Sequence, residues 1–435
     1  MRQRQSRPRL LQAMFDAFSL PDLRRRILIT VGILVVFRFI AHVPLPGVDL
    51  NALQELFESN ALLGMLDLFS GGAMRRLSVA AMGVYPYITA SIIMMLLVPV
   101  IPRLQALSQE GESGRNKINL ITHWFMVPLA GLQGYGQLVF LQRQGVVSSP
   151  EVLPMMAIVI SMVAGTAFLV WLGELITEYG IGNGISIIIF GGIVAGLPEM
   201  AGQGFLSNDN YFGLFAYGII VLVTIVVIVI FTEAHRRVPV QYAKSVFRGG
   251  RMYRQSGSTH IPMRVNSSGM IPLIFAMSVV LFPGIVASYF INPAEPGFAD
   301  TVYKVFNPNA ALPLGFFYWG FYFLLAVGFT FFYTMVVYQQ QDLPGTLQRQ
   351  GGFIPGIRPG KNTSAYIKSV INRITWAGAL FLACVAIMPF IAEQITGVSL
   401  QLSSLGLIIM VGVVLDTMKQ LEAQLVMRRY EGFIK

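Results

Sequence analysis

Residues 212–232 read Phe-Gly-Leu-Phe-Ala-Tyr-Gly-Ile-Ile-Val-Leu-Val-Thr-Ile-Val-Val-Ile-Val-Ile-Phe-Thr, without one charged side chain. As a helix, that run is long enough to cross a bilayer core of about 30 Å, which takes about 20 apolar residues. Nine further stretches read the same way, around 27–43, 77–100, 118–140, 153–173, 181–198, 269–291, 314–338, 374–393 and 398–416. The 435-residue chain is 54% hydrophobic and 12% charged, whereas soluble domains carry about 25% charge. Its mean hydropathy is +0.64. The sequence therefore predicts an all-α membrane protein of ten spans. Arg38 is the one permanently charged residue placed well inside them. Ion-coupled carriers keep carboxylates or paired charges at membrane depth, so the pattern speaks against a pump.

Orientation follows from the basic residues. Of the 31 Lys and Arg, only Arg75, Arg76, Arg143 and Lys304 fall in the segments on one side. The positive-inside rule then puts the other side, with both termini, in the cytoplasm. The single cysteine, Cys384, cannot build a disulfide framework or a thiolate cluster within one chain. His42, His123, His235 and His260 lack metal-ligand spacing, so no metal or cofactor is expected. The basic, polar start lacks the apolar core and small-residue site of a cleavable signal peptide.

The spans divide five and five, into an N-terminal half, 1–205, and a C-terminal half, 206–435. Because five is odd, a second half built like the first enters the membrane upside down, and an inverted repeat places the working path between the halves. The fifth span is rich in glycine (Gly180, Gly182, Gly184, Gly191, Gly192, Gly196), which favours close backbone packing over a lipid-facing position. Two basic loops, about 233–267 and 339–373, are long for connectors. In the first, Arg248, Arg251 and Arg254 interleave with Tyr242, Phe247 and Tyr253, which suits a docking surface for RNA or acidic proteins. In the second, Gly360-Lys361 is followed by Asn362 and the opening glycine position is Pro355, so the phosphate-cradling motif fails twice.

Residues 61–69 (Ala-Leu-Leu-Gly-Met-Leu-Asp-Leu-Phe) are apolar at helical spacing and end at Ser70-Gly71-Gly72. At 1.5 Å per residue they reach only about 14 Å, too short to cross. Two readings stay open, a re-entrant helix folded back into the protein and an interfacial helix lying on the bilayer.

Several stretches carry a resemblance. Phe69-Ser70-Gly71-Gly72-Ala73, Tyr87-Ile88-Thr89-Ala90-Ser91-Ile92-Ile93, Glu110-Gly111-Glu112-Ser113-Gly114-Arg115, Trp171-Leu172-Gly173-Glu174, the run Gly180–Phe190 and Phe353-Ile354-Pro355-Gly356-Ile357-Arg358-Pro359-Gly360 resemble the SecY family, the central subunits of the bacterial Sec protein translocation channel. The likeness covers essentially the whole chain, in order, with a local departure at 245–257.

The resemblance implies a clamshell of two pseudo-symmetric inverted halves around a pore that passes unfolded, signal-bearing polypeptides. It places a constricting ring on Val84, Ile88, Ile185, Ile189, Ile274 and Ile409. It places a plug on about 62–75, with Leu62, Leu63, Met65, Leu66, Leu68 and Phe69 in the helix and Gly71 and Gly72 as its hinge. It places a lateral gate on Thr89, Ser91 and Ile92 facing Ile274, Ser278 and Phe282, with Pro86 and Pro272 as points of bending. Docking of the motor ATPase SecA and of the ribosome falls on Arg248, Arg251, Arg254, Arg358 and Lys361. The implied setting is the bacterial inner membrane, with SecE, SecG, YidC and SecDF as companions, unfolded preproteins as cargo and no catalytic residue. The competing reading is a secondary transporter of small solutes, which requires a polar midplane site; Arg38, His123 and Asn183 do not compose an obvious one.

Overall fold

Each of the ten apolar stretches contains a helix, as expected where lipid leaves the backbone only its own carbonyls to bond. The structure is a computed structural model that describes residues 20–59, 63, 67, 70–147, 151–207, 211–248, 251–288, 290, 297–307, 314–341, 343–396 and 404–431. Before residue 208 it holds α1 (Pro21–Ile40), α2 (Leu50–Ser59), α3 (Tyr85–Leu97), α4 (Pro102–Gln109), α5 (Glu112–Arg143), α6 (Val152–Tyr179) and α7 (Gly184–Ser207). Then come α8 (Tyr211–Glu233), β1 (His235–Arg248), β2 (Arg251–Arg264), α9 (Ile271–Ser288), α10 (Phe298–Val305), α11 (Leu314–Gln341) and α12 (Leu343–Arg349). The chain ends with β3 (Gly352–Phe353), α13 (Lys361–Ala386), α14 (Met388–Thr396) and α15 (Ser404–Glu431). Four helices, α6, α8, α11 and α13, are each long and apolar enough to cross a bilayer alone, and α3 with α4, bent by 98°, forms a further candidate. The expected boundary at 205/206 falls inside the last turn of α7.

Two expectations about the second span are corrected. The stretch 77–100 becomes helical only at Tyr85. Before that the chain turns tightly, with Leu77 at φ +39° and Gly83 at φ +56°. Pro86 lies in the first turn of α3 and Pro272 is the second residue of α9. There a missing N–H removes no intrahelical bond, so these prolines start their helices and do not bend them.

Packing centres on α7, which lies against α1 and α6 from its own side of the sequence and against α15 from the other. Its glycines make this possible. A side chain at Gly184 has no room beside the Gly173 carbonyl of α6, and one at Gly191 would meet Leu34 of α1 at 2.8 Å. Elsewhere α3 packs on α5, α9 on α11, and α11 on α13.

The two long basic loops carry strands. Residues 235–264 form an antiparallel hairpin with Arg248 opposite Arg251 and His235 opposite Arg264. Gly249-Gly250 separates the paired strands in sequence, a turn signal that the basic composition masks. At about 3.4 Å per residue the hairpin reaches roughly 45 Å. The second loop supplies β3, which pairs Phe353 with Gln241 and Gly352 with Tyr242 to give the order β2-β1-β3. Val238, Val240 and Met263 from the hairpin base bury against Leu347, Ile354, Ile367 and Val370. One small core therefore joins loops separated by about seventy residues of chain. Val240→Asp puts a carboxylate into it at a cost of several kcal/mol. Limited trypsin digestion should then cleave within 235–264 and 349–361 together, while the thermal transition of the helical bundle stays in place.

Candidate functional site: an aliphatic waist and the short helix beside it

The six expected ring residues come from four helix segments. Val84 immediately precedes α3 and Ile88 lies one turn on; Ile185 and Ile189 are one turn apart on α7; Ile274 comes from α9 and Ile409 from α15. All but Ile185 are buried in one continuous apolar cluster, and Ile185 packs against it. Local chemistry sets the α7 pair. Asn183 Oδ1 accepts the Ser186 N–H at 3.1 Å and its hydroxyl at 3.2 Å, and Thr177 Oγ1 accepts the Gly184 N–H at 2.9 Å. These side chains cap the start of α7, so Asn183 serves the helix and not a midplane polar site.

A cavity of about 300 Å³ is lined by Asn183, Ser186, Arg264, Val413, Asp416 and Lys419 among others. Its wall carries charge. Arg264 Nη1 stands 3.9 Å from Asp416, and Lys419 pairs with Glu233 at 2.7 Å.

On the 61–77 segment, Leu63, Asp67 and Ser70 are helical, spaced four and three residues apart, and all buried. Leu63 joins a second apolar cluster with Leu53, Met74, Leu138 and Met162, while Ala73 belongs to the cluster of the ring. This burial fits the re-entrant reading and not a helix lying on the bilayer. Leu62, Met65, Leu66, Leu68 and Phe69 lie outside the described residues. Asp67 organises the turn that ends the segment. Its Oδ2 pairs with Arg75 Nε at 3.0 Å, and Oδ1 accepts the Ser70 hydroxyl at 3.0 Å and the N–H groups of Met74 and Arg75 at 3.1 and 3.3 Å. Burial pushes the Asp67 carboxyl above its ordinary value against the opposing pull of Arg75 and these hydrogen bonds.

Between α3 and α9, Ile92, Ile274 and Ser278 are buried, Thr89 and Ser91 are half-buried, and Phe282 is 65% exposed. A residue absent from the sequence reading joins the two helices: the Tyr85 hydroxyl meets the hydroxyls of Thr89 on its own helix and of Ser278 on α9. A tyrosine at a helix start carries no pattern that separates it from a packing residue. His123 of α5 likewise joins neighbouring helices. It pairs with Glu174 of α6 at 3.2 Å and stacks on Tyr87 of α3 at 5.4 Å between ring centres.

The expected docking residues lie away from the waist. Arg248 and Arg251 pair at the hairpin tip, and Arg254 is opposite Ser245. Arg358 and Lys361 are exposed at the turn after β3, where the Arg358 carbonyl accepts the Thr363 hydroxyl at 3.1 Å.

Comparison with known proteins gives consistent matches. The SecY family model matches residues 78–418. The protein translocase subunit SecY of Streptomyces scabiei is 40% identical, over 98% of this chain and 100% of the relative. A solved structure of a SecY protein, reported with its plug domain stabilising the closed state of the translocation channel, covers 95% of this chain and 97% of its own at a TM-score of 0.65 and 16% identity. The canine Sec61 chain from a ribosome-channel complex has a TM-score of 0.64 at 14% identity, with 95% and 97% covered. These structural likenesses concern the fold.

Asp67→Ala leaves the Arg75 guanidinium and two backbone N–H groups without their carboxylate. A loss of about 2 kcal/mol is expected, read as a lower thermal midpoint in detergent. Asp67→Asn, which keeps an acceptor, should lose less; equal midpoints for the parent and the alanine variant would refute the network's importance.

Proposed function

This chain belongs to the SecY family, and on that premise we propose that it is a protein-conducting channel. It passes unfolded, signal-bearing polypeptides between its two halves and releases apolar segments sideways into lipid. The observation that supports this reading is the continuous apolar cluster that holds Val84, Ile88, Ile189, Ile274 and Ile409, with Ile185 packed against it. A ring of aliphatic groups dewets when empty and closes around a segment when occupied. Fixed charges at the same place would hold water and ions.

Each neighbouring feature then has a part. The segment 62–75 is the plug, with Gly71 and Gly72 at its root. The seam between α3 and α9 is the lateral gate, where a few hydroxyls among aliphatic side chains make a contact that separates more readily than a fully interlocked one. A signal segment that leaves through it gains roughly 25 cal/mol per Å² of apolar surface taken from water, so selection follows hydrophobicity and not a fixed sequence. The termini and the three-stranded sheet face the cytoplasm of a bacterium whose inner membrane holds the protein. The hairpin tip and Arg358 receive SecA or the ribosome. SecE clamps the bundle, SecG sits at its edge, and YidC and SecDF assist. Arg358 suits this role because guanidinium forms forked pairs with carboxylate or phosphate.

The polar residues that a small-solute carrier would call on have other work. Arg38 donates to a backbone carbonyl, His123 pairs with Glu174, and Asn183 caps α7.

Proteoliposomes holding this chain with SecE, supplied with SecA and ATP outside, should protect a signal-bearing precursor from protease. Protection should vanish when SecA is omitted or the signal's apolar core is broken. Precursor left fully digestible by correctly inserted protein with active SecA would reject the reading and favour solute uptake. Arg358→Glu should cut SecA-driven protection about tenfold or more, the scale of reversing one charge-assisted contact, without lowering the thermal midpoint. Undiminished protection removes Arg358 from the docking surface.

A further inference from the structure

Arg38 lies in the last turn of α1 and is half-buried. A charge drawn into an apolar bundle is costly unless it is paired. Its Nη1 donates to the Gly71 carbonyl at 2.9 Å, a hydrogen bond strengthened by the charge. Gly71 and Gly72 have φ of +67° and +85°. In this left-handed turn the chain leaves the helical ladder, so the Gly71 carbonyl takes its donor from outside it.

A second, independent contact fixes the same residue. Gly71 lies backbone to backbone against Gly192 of α7: a Cβ on Gly71 would fall 2.7 Å from the Gly192 Cα, and one on Gly192 would fall 2.5 Å from the Gly71 Cα. The Phe37 ring covers the same spot, with its ζ carbon 2.9 Å from that Cβ position. Phe37 and Arg38 belong to α1, and Gly192 to α7. Both helices precede residue 208 and pack on one another. The α3–α9 seam, where Tyr85 meets Ser278, contributes nothing to this anchor.

We propose that Arg38 is a positioning residue for the plug, whose guanidinium holds the Gly71 carbonyl so that the plug root stays seated on Gly192 as a fixed pivot. The inference rests on the channel reading given above. Parting α3 from α9 leaves the pivot intact, because every group that forms it moves with the first half. The plug is displaced by rotation at Gly71-Gly72, and the resting position to which it returns is set by Arg38.

Resting ion conductance of the full chain with SecE in planar bilayers tests this. Arg38→Met should raise the leak about tenfold, the population shift expected from losing one charge-assisted hydrogen bond. Arg38→Lys, whose ammonium can donate to the same carbonyl, should stay within about threefold of the parent. Gly192→Ala should leak as well, and in the Arg38→Met background it should add less than its separate effect, since both act through Gly71. Deletion of 62–72 serves as the reference. If that deletion leaks while Arg38→Met and Gly192→Ala stay as tight as the parent, the pivot is wrong and the plug stands. If the deletion itself does not leak, the sealing role fails, and the pivot with it. Equal leaks from Arg38→Met and Arg38→Lys, with equally lowered thermal midpoints, would mark Arg38 as a general packing residue and overturn the proposal. Should Arg38→Met not accumulate, Gly192→Ala decides alone: a parental leak overturns the pivot, and a raised leak supports it.

Discussion

An opening through a bilayer must be closed by groups that hold neither water nor ions, and the proposed ring of aliphatic side chains meets that constraint. Val84, Ile88, Ile185, Ile189, Ile274 and Ile409 come from positions spread over more than three hundred residues, so the rest of the fold has to deliver four helix segments to one place. The glycines of α7 allow it to approach α1 and α6 closely, and α7 lies against α15 as well.

Several polar side chains at the turns and helix starts of this apolar interior are tied to a backbone group or a partner nearby. Asn183 and Thr177 close the start of α7, Asp67 gathers the turn ahead of α3, and Arg38 reaches the Gly71 carbonyl. A buried polar group without a partner costs about 1–3 kcal/mol, so these contacts determine where the chain turns as well as how firmly. At its described residues the short segment joins the bundle through directed hydrogen bonds at its root and through the apolar contact of Leu63.

The two basic loops illustrate a different division. Their charge belongs to the surface, but their position is set by a small apolar core of Val238, Val240, Met263, Leu347, Ile354 and Ile367. Joining them in one sheet fixes the hairpin and the Arg358 turn on a common support. A pair of independent flexible loops would present the same charges with no defined spacing.

By itself the sequence determined the membrane class, the places of the apolar helices and the shortness of the 61–69 segment, because hydrophobic length and period are local properties of the chain. The motifs around Gly71, Ile88, the run 180–190 and Arg358 were also legible, and they carried the family. Partnership was not legible. That Arg38 meets Gly71, that Tyr85 meets Ser278, that His123 meets Glu174 and that Gln241 pairs with Phe353 depends on distances between segments far apart in sequence. Likewise the proline at 86 reads as a kink until the helix is seen to begin beside it. Hydrogen bonds and close backbone contacts act over a few ångströms, and only the tertiary structure decides which groups come within that range.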